Sequence, residues 1–335
     1  MQTRPFKQID VFTATPYFGN PLAVVLDAAG LDDAAMRRFA NWTNLSETTF
    51  LLPPRDASAD YAVRIFTPGG ELPFAGHPTL GSCHAWLQAG GKAKRKDVIV
   101  QECQVGLVQI RQEKAGQRLA FAAPPLKRSA PSPVLLAQVA AALGLKAAQI
   151  TAAQTLDNGP VWMGLLLDSP ETVLQLAPNN LELGKLNVKI GVAGLYEKAE
   201  TTPLIGRANR EARAFAPTLR TGVSSLPPAG AELARGGPSR RSAASMVAST
   251  EAGNPDIEVR AFAPGIGINE DPVTGSFNAG LAQWLMADGY APENYVASQG
   301  VCLNRAGLVY LDRDANGQVW VGGESVTCID GNVTL

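Results

Sequence analysis

Apolar and polar positions alternate over short stretches through the first ~125 residues, and glycine, proline or asparagine breaks each stretch. Successive side chains of a strand point to opposite faces, so this pattern predicts strands at 9–12, 22–26, 48–52 and 61–66, with a turn at Tyr17-Phe18-Gly19-Asn20-Pro21 between the first two. Two segments follow a helical period instead. Asp32 stands where an N-cap belongs, and Met36, Phe39 and Ala40 recur at i, i+3, i+4 spacing. A second helix is expected over about 78–89, halted by Gly90-Gly91, and 98–121 gives further short strands.

Pro124-Pro125 and the prolines up to Pro133 have the composition of a linker. Beyond them the pattern resumes, with a helix over 135–145, a buried strand at 161–167, a short helix from Pro170 and a strand at 188–195. One motif returns in this second half. Arg64-Ile-Phe-Thr-Pro-Gly69 is echoed by Arg260-Ala-Phe-Ala-Pro-Gly265, and each is followed by a Gly-polar step that opens an apolar helix carrying Trp-Leu: Gly76-His77 in the first copy, Gly275-Ser276 in the second. A repeat this long is no solenoid. It implies an α+β fold of two pseudo-symmetric domains facing one another across a cleft, over 1–124 and 130–324, with the tail at about 325–335 expected to return to the first.

Composition narrows the function. Lysine and arginine total 29 against 30 acidic residues, a net charge of −1, so no basic field exists to hold a nucleic-acid backbone. No stretch reaches the ~18 apolar residues of a membrane helix, and 1–12 lacks the apolar region of a secretory signal, so the expected location is cytoplasmic, with no membrane partner. Cys83, Cys103, Cys302 and Cys328 form no C-x-x-C pair and read as reduced thiols. The sequons at Asn41 and Asn44 then carry no meaning. Residues 200–256 break the pattern with seven arginines, no lysine and little apolar periodicity, which reads as a surface insertion too poor in apolar residues to offset its ordering entropy. It holds a partial third echo at Arg213 to Pro217, and a basic arm for an anionic partner is the sharper alternative.

Candidate chemistry clusters at the echoed steps. The Thr274-Gly275-Ser276 step opens a helix and presents unpaired N–H groups with the positive end of the helix dipole, which suit a carboxylate; a plain N-cap by Thr274 or Ser276 is the alternative. Gly76-His77 offers the counterpart, and two such helix starts across a cleft would focus positive potential on one anionic ligand. Nucleophile elbow, P-loop and dinucleotide fingerprints are all broken, and two histidines, His77 and His84, make a His-rich metal site a poor reading; His84 is expected to pack. Proton transfer remains. Its candidates are Glu47, His77 and Asp271, with Glu47 placed just before a buried-looking strand where desolvation would raise its pKa.

Taken together, Asp10-Val-Phe12, Gly19-Asn-Pro-Leu-Ala-Val-Val25, Asn44-Leu-Ser-Glu-Thr-Thr49, Arg64 to Pro68, Phe74-Ala-Gly-His-Pro78 and Glu270-Asp-Pro-Val-Thr-Gly-Ser276 resemble the PhzF-like family of phenazine-biosynthesis proteins. The resemblance implies a diaminopimelate-epimerase-like fold, each half a curved, mostly antiparallel sheet around a central helix, with the site between the halves, no cofactor, and a homodimer. It implies that Glu47 is the general acid/base, that His77 and Asp271 flank the substrate, and that Gly76, Gly275 and Ser276, with Asn20 and Thr274, hold a small anionic substrate. The implied reaction is an isomerisation that moves a proton between carbons, as in the dihydro-hydroxyanthranilate isomerase of that family. Two-thiol racemisation is excluded, because neither 70–78 nor 265–280 contains cysteine. Phe277 after Ser276 is expected to narrow the pocket. A non-catalytic binding or scaffold protein that keeps the fold is the rival reading.

Overall fold

The computed structural model describes residues 1–113, 118–197 and 254–335. The first half runs β1 (Thr3–Val11), β2 (Asn20–Val25), α1 (Asp33–Thr43), β3 (Glu47–Leu52), β4 (Tyr61–Thr67), β5 (Gly70–Leu72), α2 (Gly76–Gln88), β6 (Val98–Cys103), β7 (Gly106–Glu113) and β8 (Arg118–Ala122). The second runs β9 (Lys127–Ser129), α3 (Pro133–Leu143), β10 (Ile150–Asp157), β11 (Val161–Leu167), α4 (Pro170–Gln175), α5 (Asn180–Leu186), β12 (Lys189–Leu195), β13 (Ile257–Ala263), β14 (Ile268–Asp271), α6 (Gly275–Ala287), β15 (Asn294–Gln299), β16 (Gly307–Arg313) and β17 (Val319–Thr334). The segment 198–253 lies outside the described residues, and with it nearly all of the expected insertion and its third echo. Its last residues are described: Asp256 accepts from the Tyr196 amide and donates its own to the Val296 carbonyl, so β13 begins in register.

The two halves repeat one pairing scheme. In the first, β1–β2 is antiparallel, β2–β3 parallel, β3–β4 antiparallel, β4–β6 parallel, and β6–β7–β8 antiparallel. In the second, β10–β11 is antiparallel, β11–β12 parallel, β12–β13 antiparallel, β13–β15 parallel, and β15–β16–β17 antiparallel. Strand β17 joins them. Its first part pairs with β16 and β8, while residues 325–334 pair with β1 and close an eight-stranded circuit through β1, β2, β3, β4, β6, β7, β8 and β17. The stretch read as a linker holds β9, whose three residues pair with β10 and return the favour to the second half. Proline there is compatible with a strand because it occupies the flanks, where no ladder donor is missing.

Each parallel step requires a crossover, and helices supply it. Helix α1 links β2 to β3; Asp32 Oδ1 accepts from the Ala35 amide, and Met36, Phe39 and Ala40 pack against Val25, Phe50 and Phe66. Helices α2 and α6 differ from α1, since their sequences carry no amphipathic stripe and most of their residues are buried. A helix apolar all round belongs inside a core. Accordingly α2 packs on β1, β2, β3, β8 and β17, and α6 on β10, β11, β16 and β17. One apolar cluster runs through both halves, including Phe12, Phe121, Val273, Phe277 and Trp284.

The sequence echo has a physical basis. Arg64 grips Glu71 with Nε and Nη2 at 2.7 and 2.6 Å, and Arg260 grips Glu270 in the same way at 2.9 and 2.8 Å. Each guanidinium also lies 5.1 Å from the ring two residues on, Phe66 or Phe262. The fork therefore clamps the β-turn that delivers each central helix. Only the second pair is deeply buried, and Arg260 further donates to the carbonyls of Val173 and Leu176 in and after α4. Removing one partner of a buried pair costs about 3–5 kcal/mol, whereas a half-exposed pair is worth about 1 kcal/mol. Arg260→Met is therefore expected to lower the urea midpoint severalfold more than Arg64→Met; equal losses would show that the two clamps are not distinguished by burial.

Candidate active site

Helices α2 and α6 meet head to head. A Cβ built on Gly76 would lie 3.1 Å from the Gly275 Cα, and one built on Gly275 would lie 3.1 Å from the Gly76 Cα and 3.2 Å from the His77 amide nitrogen. A side chain at Gly76 would also meet the Phe121 ring at 2.8 Å, so glycine is what lets the two backbones come this close without displacing a neighbour. Neither helix carries a side-chain cap: α2 has Ala75 at its N-cap position, and Thr274, at the N-cap of α6, turns its hydroxyl to Asp271 Oδ2 at 2.7 Å instead. Pro78 in the first turn of α2 forfeits no helical bond, because that position has no intrahelical partner. Two dipole ends thus converge uncapped on one place, a setting that favours an anion.

The acidic candidates gather around this junction. Glu47 begins β3, with its side chain 13 % exposed, and Oε2 lies 3.4 Å from Nε2 of the buried His77. Neither atom has a hydrogen-bond partner at that separation. Burial drives the Glu47 carboxyl up to about 8, with Asp271 adding to the shift and Lys189 opposing it. Burial also pushes His77 down to about 3, so its ring is neutral. A protonated carboxyl and a neutral imidazole therefore face each other at neutral pH. Asp271, raised to about 6 by burial and held back by bonds from Thr274 and Asn20, ends β14.

Asn20, at the start of β2, ties the halves together. Its amide nitrogen donates to Asp271 Oδ1 and to the Val273 carbonyl, both at 2.9 Å, which uses its two protons and leaves only a long 3.4 Å approach to His77 Nδ1. Ser276 Oγ accepts from the Trp162 indole nitrogen at 3.1 Å, and its carbonyl accepts from Asn158 at 2.8 Å. The structure thus brings together Glu47, His77, Asp271, Asn20, Thr274, Gly76, Gly275 and Ser276. His84 packs as expected, half-buried and 3.2 Å from the Thr327 hydroxyl.

Phe277 departs from expectation. Its ring is fully buried away from the junction, beside Trp162 at 5.5 Å between centroids and over Gly191, where any Cβ would collide with it. The residue after Ser276 turns into the core because it lies on the inner face of α6, so it fills space behind the site and does not narrow it. Two other residues have no motif to flag them. Buried Gln299 accepts from the Thr274 amide and from Asn278, and donates to the Asp271 carbonyl and the Thr274 hydroxyl, fixing the loop that presents Asp271. Lys189 starts β12 within electrostatic reach of Glu47 and Asp271. Among the described residues no group of three or more His, Cys, Asp or Glu is placed to hold a metal ion, and no helix is long and apolar enough to cross a membrane.

The sequence matches the family described as "Phenazine biosynthesis-like protein" over residues 9–231 and 238–331. The chain belongs to that family. It is 31 % identical to "Antisense-enhancing sequence 1" of Schizosaccharomyces pombe, with 99 % of each chain covered. Over 52 % of this chain and 61 % of the relative it is 35 % identical to the trans-2,3-dihydro-3-hydroxyanthranilate isomerase of Pseudomonas aeruginosa. The crystal structure of a PhzF-family phenazine biosynthesis protein from Bacillus anthracis superposes with a TM-score of 0.73 over the whole of both chains at 20 % identity. This member of the phenazine biosynthesis-like family is an isomerase with the epimerase-like fold its motifs imply.

The elevated Glu47 pKa has a consequence for folding. A carboxyl at about 8 when folded and 4.5 ordinarily binds its proton more tightly in the native state, so its contribution is fully present below about pH 4.5 and is lost as pH rises through about 8. Glu47→Gln cannot ionise. The stability of wild type relative to Glu47→Gln should therefore decline between pH 5 and pH 9 in urea titrations, and a pH-independent difference would show that Glu47 is not held protonated.

Proposed function

We propose that this isomerase moves a proton between two carbons of a small, carboxylate-bearing cyclic substrate, with Glu47 as the acid and base. The observation that carries the reading is the buried Glu47–His77 contact beside the uncapped meeting of α2 and α6. The substrate carboxylate lies against the amides at Gly76, Gly275 and Ser276, whose fixed dipoles need no reorganisation to receive it. Protonated Glu47 gives its proton to one carbon as the π electrons move toward it. The carboxylate left behind takes a proton from the second carbon, and that C–H pair completes the new double bond. Glu47 ends as it began, so one group serves both steps and no external acid or base is consumed.

His77 stands 3.4 Å from the Glu47 carboxyl as a neutral ring, near enough to form a hydrogen bond with it once a bound substrate tightens the site. Asp271, anchored by Asn20 and Thr274, faces the substrate from the second half. The Pseudomonas relative is named for a substrate that is a cyclic amino carboxylate, which is the class proposed here. In D2O with trans-2,3-dihydro-3-hydroxyanthranilate, wild type should incorporate deuterium at ring carbon. General acid–base catalysis contributes about 10²–10⁴-fold, so Glu47→Gln should slow incorporation by at least that factor while binding changes less than threefold. Undiminished exchange in Glu47→Gln would remove Glu47 from the mechanism.

A further inference from the structure

The pseudo-symmetry places a cation where the first half carries its acid. Arg64 and Arg260 are equivalent by their matching clamps, and they pair across the ladder with Phe50 and Val192. Three residues earlier in each strand stand Glu47 and Lys189. The parallel neighbours agree, since Leu22 pairs with Glu47 and Trp162 with Lys189. Lys189 is therefore the second half's counterpart of Glu47, as Ser276 is of His77 and Gly275 of Gly76.

Its ammonium has no ion pair or hydrogen bond among the described residues, although the residue is half-buried. It stands 5.8 Å from the Trp162 ring centroid, and the indole N–H of that ring binds Ser276 Oγ, so Lys189 is placed beside the start of α6. Lys189 also forms one wall of a cavity of about 330 Å³, together with Leu135, Thr155, Met163, Asn187 and Ile266. Glu47, His77, Asp271 and the paired glycines do not line it. Lys189 is thus shared between the neighbourhood of the acids and a separate hollow of small-ligand size. A partly desolvated ammonium with no hydrogen-bonded anion is costly, and an anion from the ligand would relieve that cost.

We propose that Lys189 binds a second anionic group of the substrate, a carboxylate, and that the adjoining cavity receives the part of the carbon skeleton that carries it. This rests on the reading that the amide junction holds the first carboxylate. The preferred substrate is then a dicarboxylate, reacting at carbons near Glu47 between its two anchored ends.

Calorimetric titration of the full chain with benzoate and with phthalate, isophthalate and terephthalate tests this. At least one diacid should bind wild type tenfold or more tightly than benzoate. Lys189→Met should weaken that diacid at least tenfold and benzoate less than threefold, and Lys189→Arg should restore most of the preference; urea midpoints confirm that both variants fold. Equal binding of benzoate and every diacid, or a diacid preference that survives Lys189→Met, overturns the proposal and leaves the junction reading standing. Binding of none of the four overturns both.

Discussion

The close approach of Gly76 to Gly275 is the constraint on which the site depends. Two helices buried along their lengths cannot shift without disturbing the sheets around them, and their first residues come near enough that a methyl group on either would press on the other's backbone. What the surrounding sheets fix in consequence is the position of the first backbone amides of both helices. Because the helices start without side-chain caps, the field at that place is left for a ligand to satisfy. The glycines are there for proximity and the absent caps for charge.

The same burial that fixes the amides sets the acids. Glu47 and Asp271 come from different halves, yet both are raised by desolvation, and each is restrained differently. Asp271 receives hydrogen bonds from Asn20 and Thr274, which favour its charged form, so it stays lower. Glu47 receives no such hydrogen bonds, faces a neutral imidazole, and is held protonated by burial with Asp271 adding to the shift and Lys189 opposing it. Two carboxyls whose environments separate their proton affinities are an arrangement that acid–base catalysis can use.

Much of this was legible in the residues. Helix α1 announced itself through Asp32 and the Met36, Phe39, Ala40 face, and the Arg-x-Phe echo revealed a duplicated architecture because the same fork geometry must be rebuilt in each half. Local pattern failed where a residue's partner is distant in sequence. Gln299 is an unremarked polar residue at a strand end until the fold lays it against Thr274, and Phe277 is a bulky neighbour of Ser276 until the helix phase turns it toward Gly191. Residues 124–133 suggested only a linker, since three residues are too few to display strand periodicity and β9 exists because β10 offers it an edge.

Lys189 shows the same limit in its strongest form. The echo alone aligns Arg64 with Arg260, but relating Lys189 to Glu47 needs the register of β12 on β13, which depends on an antiparallel pairing across some seventy intervening residues. Once that register is known, the departures from symmetry have a direction. Backbone features repeat, with glycine answering glycine and clamp answering clamp, whereas the side chains that face the junction do not: Glu47 and His77 in one half stand against Lys189 and Ser276 in the other. Backbone symmetry brings two uncapped helix starts together, and the side chains around them differ between the halves. Under the mechanism and the Lys189 role proposed above, a proton donor and acceptor on one side and a fixed positive charge on the other would orient an unsymmetrical substrate in a nearly symmetrical cleft, so that one of its faces meets Glu47.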